Sequence, residues 1–205
     1  MLGTDVGVAD EVHPDDMKRK LRPSQILAAA GVVAATIAAM PLGDVVHAGP
    51  QEPDVPDTIQ VEAGNKVFLV GHAVGVQIYS CTDGASGPRW TFGGPRADVY
   101  GENGKLVMTH FGGPTWQARD GSKVVGSRVD GVTVDRTAIP WLLLSAASTT
   151  AGPDGDRLTS TTFIQRINTT GGVEPPAAEC NASTAGTTEE VTYTADYYFW
   201  KATGR

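Results

Sequence analysis

The chain consists largely of short runs of strand-forming residues that are separated by Gly, Pro, Asp and Asn. The runs are rich in Val, Ile, Thr, Tyr and Phe, whose side chains suit a pleated, half-buried strand. They cover residues 66–70, 74–81, 89–92, 97–100, 105–109, 123–129, 159–168 and 191–200. In the last run every second side chain is apolar, at Val191, Tyr193, Ala195, Tyr197 and Phe199. This period of two predicts a strand with one face turned toward a core.

Two glycine-containing pairs predict tight turns between these runs. Asn103-Gly104 and Asp120-Gly121 tolerate the positive φ that short hairpin turns require. Residues 138–149 are compatible with a short helix that begins near Pro140, and equally with a buried strand. The pattern therefore predicts an all-β fold, an antiparallel β-sandwich or barrel with at most one short helix. We expect residues 58–205 to form this single domain.

The N-terminal region is expected to lie outside the β domain. A basic cluster precedes an uncharged run at residues 26–40, which is shorter than the roughly 20 residues of a membrane-spanning helix. The cluster comprises Lys18, Arg19, Lys20 and Arg22. Small residues follow at 46–48, so we predict a signal peptide at residues 17–48 with cleavage after Ala48. Residues 1–16 are acidic, unlike the start of a signal peptide, and are interpreted as a mis-assigned extension before Met17. Residues 49–57 read as a proline-rich leader.

The signal peptide and the two cysteines together predict the cellular compartment of the protein. An exported chain meets an oxidising environment, where Cys81 and Cys180 are expected to form one disulfide. A metal or redox pair is the alternative, but the spacing lacks the CxxC pattern that either role normally shows. The sequence thus predicts a secreted or cell-envelope protein of bacterial type, with no membrane association after cleavage. Its oligomeric state stays open.

Charge and missing motifs narrow the function classes. The formal net charge of -7 argues against nucleic acid as a partner, since phosphate binding needs many basic side chains. The motifs GxSxG and HExxH, a P-loop and an EF-hand loop do not occur. Gly71 and Gly75 lack GxGxxG order and precede a strand-like run, so a nicotinamide cofactor has no predicted site. We therefore predict neither a cofactor nor a metal.

The segment HFGGPTWQARDGS, residues 110–122, has a structural and a functional interpretation. Its glycines and proline favour sharp turns, with Trp116 packed beneath them. As a binding loop, it would instead offer Trp116 as a flat face and His110, Arg119 and Asp120 as polar contacts. The structural interpretation is the preferred one. Trp90 is a second candidate aromatic platform for a sugar or another ring.

Two further residues complete the set of candidate ligand-binding residues. His72 and His110 flank glycine turns and could form an acid/base pair or two metal ligands, although local backbone bonding is the preferred interpretation. Arg166 lies in a strand-like run and has three possible interpretations. In order of preference, its side chain faces solvent, forms a buried ion pair with Asp196 or contacts a ligand. The candidates are His72, Trp90, His110, Trp116, Arg119, Asp120 and Arg166.

Several blocks of the sequence together resemble a known family. They are GVQIYSC (75–81), HFGGPTWQARDGSKVVG (110–126), AIPWLLLSA (138–146), IQRINTTGGVEPPAAEC (164–180) and VTYTADYYFW (191–200). In this order they are similar to the secreted family called domain of unknown function 3455, over residues from about 53 to 201. The resemblance implies a secreted single domain and no particular chemistry. Some members carry a malate dehydrogenase label, which this sequence does not support.

These observations predict a non-enzymatic secreted or envelope-associated β domain that binds a small molecule, a glycan or a surface partner. The predicted binding rim comprises His72, Trp90, His110, Trp116 and Asp120. One alternative is a hydrolase or metal-dependent enzyme in which His110 and Asp120 transfer protons. Another is a structural envelope protein without a cleft.

Overall fold

The computed structural model describes residues 49–204, which form eight strands and two single-turn 3-10 helices, at Asp57–Ile59 and Ala177–Glu179. The strands are β1 (Asn65–Thr82), β2 (Arg89–Tyr100), β3 (Leu106–Phe111), β4 (Thr115–Ala118), β5 (Lys123–Val132), β6 (Trp141–Thr150), β7 (Thr161–Gly171) and β8 (Thr188–Ala202). The predicted all-β fold is confirmed, and its form is a barrel.

The strands pair in sequence order, and β1 pairs with β8 to close the sheet into an antiparallel barrel. Because every connection joins neighbouring strands, the loops fall at two ends. We call the end with the β1–β2, β3–β4, β5–β6 and β7–β8 connections the cavity end. The other, with the β2–β3, β4–β5 and β6–β7 connections, is the clasp end.

The structure confirms both predicted turns and shows a strand in the segment that was compatible with either a helix or a strand. Gly104 and Gly121 adopt φ values of 71° and 82° in the connections that follow β2 and β4, as the hairpin pairs predicted. Residues 141–150 form β6, so the strand alternative for this segment is the observed one. The described residues contain no α-helix.

The interior of the barrel holds the main hydrophobic core. Its members larger than alanine are Leu69, Val99, Met108, Trp116, Val124, Ile139, Leu144, Leu158, Ile164, Tyr193, Tyr197 and Phe199. The apolar face predicted for residues 191–200 contributes four of its five side chains to this core, and only Val191 packs elsewhere. Trp116 makes edge contacts with Tyr197 and Phe199, at centroid distances of 5.2 and 6.0 Å.

A segment ahead of β1 covers part of the outer surface, and we call residues 55–61 the strap. Val55 and Ile59 are buried against the outward side chains of Leu143 and Ile167. Gln165, also outward and fully buried, fixes the strap by donating from Nε2 to the carbonyl oxygen of Ile59 at 2.7 Å. The strap therefore gives β6 and β7 a second buried face.

The expected disulfide between Cys81 and Cys180 is present. It joins the end of β1 to the β7–β8 connection and packs with Tyr79 and Trp90. The hydroxyl of Tyr79 donates to the carbonyl oxygen of Gly172 at 2.8 Å, and Trp90 Nε1 donates to that of Pro176 at 3.2 Å. The bridge and both bonds pin this long connection to the barrel wall.

The predictions for residues 1–48, the acidic extension and the signal peptide, lie outside the described residues. Within residues 49–204, no helix has the length and apolarity needed to span a membrane.

Candidate functional site

A cavity of about 360 Å³ lies inside the barrel at the cavity end. Its apolar wall consists of Phe92, Pro95, Pro114, Trp116, Leu142 and Leu144, and its polar side chains are Gln77, His110, Arg128, Arg166 and Tyr197. The lining comes from all eight strands or the turns between them. The cavity is therefore a property of the closed barrel and of no single loop.

Two copies of the tetrapeptide FGGP shape one side of the rim. Residues 92–95 lie within β2, and residues 111–114 form the end of β3 and the turn to β4. Gly94 has a φ of 124°, and a Cβ there would lie 3.0 Å from the Cα of Gly112. Glycine at Gly94 thus allows the two backbones to touch and places Pro95 and Pro114 on the cavity wall.

His110 is held rigidly as a neutral imidazole. Its ring stacks on Trp116 with centroids 4.2 Å apart, and its edge meets Tyr197 at 5.1 Å. Nδ1 lies 2.9 Å from the carbonyl oxygen of Thr115; because a carbonyl only accepts, Nδ1 carries the proton. Burial lowers the pKa of His110 to about 3, and the charge of Arg166 acts in the same direction against the opposing effect of the Thr115 bond.

Arg166 brings a fixed positive charge to the cavity. It lies on β7, in register with Leu142 on one side and Tyr197 on the other. Its Nε and Nη2 donate to the carbonyl oxygen of Pro140 at 3.1 and 2.8 Å, which holds the guanidinium in place. Arg128 is a second, exposed cation on the lining. Among the described residues, neither arginine forms a salt bridge, and no cavity-lining side chain is acidic.

Two buried nitrogen atoms next to the cavity lack hydrogen-bond partners among residues 49–204. They are Trp116 Nε1 and Gln77 Nε2, in side chains that are only 1% and 2% exposed. A buried donor left unsatisfied costs about 1–3 kcal/mol. The interior therefore contains hydrogen-bond donors that have no acceptor in the described part of the chain.

Tyr193 lies next to Tyr197, which lines the cavity, and adds a second phenol to its polar groups. Their hydroxyl oxygens lie 3.4 Å apart. Burial raises the pKa of both phenols above the ordinary value, with the charge of Arg166 opposing this effect. Both side chains are therefore neutral hydrogen-bonding groups at physiological pH.

Asp120 and Arg119 lie at the clasp end, away from the cavity. Asp120 Oδ1 accepts from the hydroxyl of Ser122 at 2.6 Å and from the backbone N–H of Ser122 at 2.9 Å. Oδ2 accepts from the backbone N–H of Arg157 at 2.9 Å. These bonds, that of the Ser122 side chain first, hold the pKa of Asp120 below its usual range. Asp120 thereby ties the β4–β5 turn to the β6–β7 connection.

The remaining candidates also lie apart from the cavity. His72 is on the outer surface, where its side chain is 47% exposed and its Nδ1 lies 2.6 Å from Asp196 Oδ1. Asn168 donates to the other oxygen of the same carboxylate. Trp90 packs against the disulfide. Of the seven candidates, the structure brings together His110, Trp116 and Arg166, whereas His72, Trp90, Arg119 and Asp120 do not join them.

Sequence reasoning missed much of the lining, namely Gln77, Phe92, Arg128, Leu142, Leu144 and Tyr197. One local signal pointed to part of it, since the FGGP tetrapeptide occurs at both residues 92–95 and 111–114. The other side chains meet only through strand register, which no local motif records.

Metal-binding geometry does not occur in the described part of the chain: no three His, Cys, Asp or Glu side chains there are grouped to hold an ion. His72 and His110, weighed above as joint ligands, lie on the outer surface and in the interior respectively.

The fold and the site together define a small, disulfide-bridged, eight-stranded antiparallel barrel with an internal cavity at one end. A family model described as Protein of unknown function (DUF3455) matches residues 62–201, and the chain belongs to this family. The match includes β1 to β7, all of β8 except its last residue, Ala202, and the whole cavity lining. No curated protein and no solved structure matches the sequence.

Proposed function

We propose that this domain is an exported binding protein that holds one small molecule in the cavity end of the barrel. The observation that carries the proposal is the cavity itself. Its volume of about 360 Å³ falls within the range of about 300–1,000 Å³ that is common for small-molecule sites. Eight-stranded barrels are also wide enough to enclose one such ligand.

The chemistry of the lining supports binding over catalysis. A mostly apolar wall with a few fixed polar groups is the usual composition of a binding pocket. An efficient general base has a pKa near the working pH, whereas burial holds that of His110 near 3. The enzyme alternative paired His110 with Asp120, and these residues lie at opposite ends of the barrel.

Export is part of the same proposal. Disulfides are typical of proteins from oxidising compartments, and this domain has one, which links positions 99 residues apart. The sequence-predicted signal peptide at residues 17–48 supplies the route. Peptide analysis of the native protein from culture medium or envelope should find Gly49 at its N-terminus, and protein retained in the cytoplasm would contradict export.

Binding is tested by thermal-shift and calorimetric titration with a panel of small aromatic and aliphatic alcohols, amides, amines, acids and monosaccharides. Phe92 is 53% exposed and lines the cavity, so Phe92→Ala should weaken binding of any hit without unfolding the barrel. We expect an affinity loss of about tenfold, corresponding to roughly 1.4 kcal/mol of lost apolar contact.

Phe111→Ala is the matched control. Phe111 is 37% exposed, lies at the same end of the barrel and is not part of the cavity lining. It should bind the hits like the wild type. A panel without any saturable response, or equal losses in the two variants, would contradict binding in this cavity.

A further inference from the structure

We infer that the ligand carries a carboxylate on a compact apolar body, with the carboxylate bound at Arg166 and the body against Phe92, Leu142 and Leu144. This inference rests on the proposed binding function and specifies the ligand class for the same cavity. It draws on charge, on the orientation of the arginine and on the unused hydrogen-bonding groups of the interior.

The charge of the site is the first argument. The whole chain has a formal net charge of -7, yet the cavity is lined by Arg128 and Arg166 and by no acidic side chain. Arg166 is half-buried, and within residues 49–204 it has no salt-bridge partner. A cation removed from water is costly unless an anion compensates it. A bound anion would supply the missing partner.

The fixed orientation of Arg166 is the second argument. Pro140 accepts from Nε and Nη2, and Tyr197 also interacts with this side chain. A guanidinium carries five N–H donors, so donors remain beyond these contacts. A planar carboxylate matches the fork of N–H donors, and bonds in which both partners are charged are stronger than neutral ones. Because the side chain is already held in place, binding loses little further conformational entropy.

The unpartnered nitrogen atoms are the third argument. Trp116 Nε1 can only donate, and Gln77 presents an amide whose nitrogen is also without a partner in the described chain. Carboxylate oxygens are acceptors with several lone pairs, and can serve more than one donor at once. A ligand with hydroxyl groups alone would leave the arginine charge uncompensated.

The polarity and charge of the lining favour a monoanion over a phosphate ester. The cavity has the volume of about a dozen water molecules, and much of its wall is apolar. A phosphate monoester carries nearly two charges at neutral pH and is usually met by several cationic or backbone donors. One fixed arginine with one exposed neighbour fits a single negative charge better.

The test compares three probes that share an apolar body: 3-phenylpropanoate, 3-phenylpropanamide and 3-phenylpropanol. Calorimetric titration of the intact exported domain should give about tenfold tighter binding for the carboxylate than for the amide or the alcohol. The preference should shrink as salt concentration rises, because ions screen a partly exposed charge pair. Phenyl phosphate serves as a fourth probe, and tighter binding of it than of the carboxylate would overturn the assignment to carboxylates.

Charge-removal variants locate the contact. Arg166→Gln should abolish the preference for the carboxylate, and Arg128→Gln, which changes an exposed side chain, should reduce it without affecting the fold. Arg157→Gln removes an equal charge at the clasp end and should keep the preference intact. Circular dichroism and melting temperature establish that each variant is folded.

The outcomes separate the two proposals. Equal affinity for the carboxylate, amide and alcohol would overturn the carboxylate assignment and leave small-molecule binding standing. A carboxylate preference that survives in Arg166→Gln would overturn the assignment of the contact to Arg166. Absence of binding by all four probes and by the wider panel would overturn both proposals.

Discussion

His110 shows how one residue can matter for stability, whatever ligand the cavity holds. Its imidazole stacks on Trp116 and makes an edge contact with Tyr197, and Nδ1 donates to the carbonyl oxygen of Thr115. We preferred local backbone bonding for both histidines from the sequence. The structure shows that bond for His110, whereas His72 contacts the carboxylate of Asp196. The place of His110 inside the barrel was not predictable, because the segment around it resembled an exposed turn.

The buried imidazole should make the protein sensitive to acid. The pKa of His110 is about 3 in the folded state against 6.5 for a free histidine, so between these values the unfolded chain binds the extra proton. The free energy of unfolding should therefore fall as the pH is lowered from 6.5 toward 3. Between about pH 7.5 and 4.5, this one group should remove about 2–3 kcal/mol.

His110→Phe tests this expectation, because phenylalanine keeps an aromatic ring and has no group that titrates. Urea unfolding at the two pH values should show a loss on acidification that is smaller in the variant by this amount. The variant is expected to be less stable near neutral pH, because it lacks the bond to Thr115. The quantity to compare is therefore the change in the free energy of unfolding with pH in each protein. Identical pH dependence in the two proteins would contradict a buried neutral His110.

At the scale of elements, the strands could be predicted where only one face is buried. Residues 191–200 alternate, and most of the apolar positions point into the barrel as expected. Residues 161–168 carry apolar and polar side chains on both faces, because the strap buries the outer face as well. The runs at 66–70 and 74–81 are parts of one long strand, β1. Gly75 lies within it, where a Cβ would be 2.2 Å from the carbonyl oxygen of Arg96 on β2.

The strap should contribute to stability, although its first residues, 55–57, belong to the segment that we interpreted as a proline-rich leader. Ile59 is fully buried between outward side chains of the barrel, so Ile59→Ala should lower the free energy of unfolding by about 2–4 kcal/mol. Chemical denaturation measures this loss. Thr58→Ala changes the exposed neighbour in the same short helix and should stay within about 0.5 kcal/mol of the wild type. Similar values for the two variants would mean that the strap is detached in solution.

At the scale of the molecule, composition and turn signals sufficed for an all-β fold with one disulfide, but not for the choice between sandwich and barrel. That choice depends on whether the first and last strands pair. Two runs separated by more than a hundred residues carry no local sign that they are neighbours. The same reason explains why Gln77, Arg128 and Leu142 were not recognised as parts of one site.

The disulfide should be a major source of stability for the whole barrel. The bridge joins positions 99 residues apart. In the chain-entropy model, closing a loop of this length stabilises the folded state by about 4–5 kcal/mol. The double variant Cys81→Ser, Cys180→Ser should therefore unfold at much lower urea concentration than the oxidised wild type. The wild type treated with reductant is the control, and should match the variant. A variant as stable as the oxidised protein would contradict this role.

Closure of the barrel by its two terminal strands also governs how the chain reaches its native state. β1 pairs with β8 from Asn65 to Ser80, so this long ladder forms only after the last strand has been synthesised. Pairing between such distant segments slows folding, because the entropy of closing the loop is lost first. Until then, β1 and β7 present open hydrogen-bonding edges, which are sites of intermolecular aggregation. Truncation before residue 188 should consequently yield inclusion bodies, whereas in the intact chain β8 pairs with both β1 and β7 and covers the two edges.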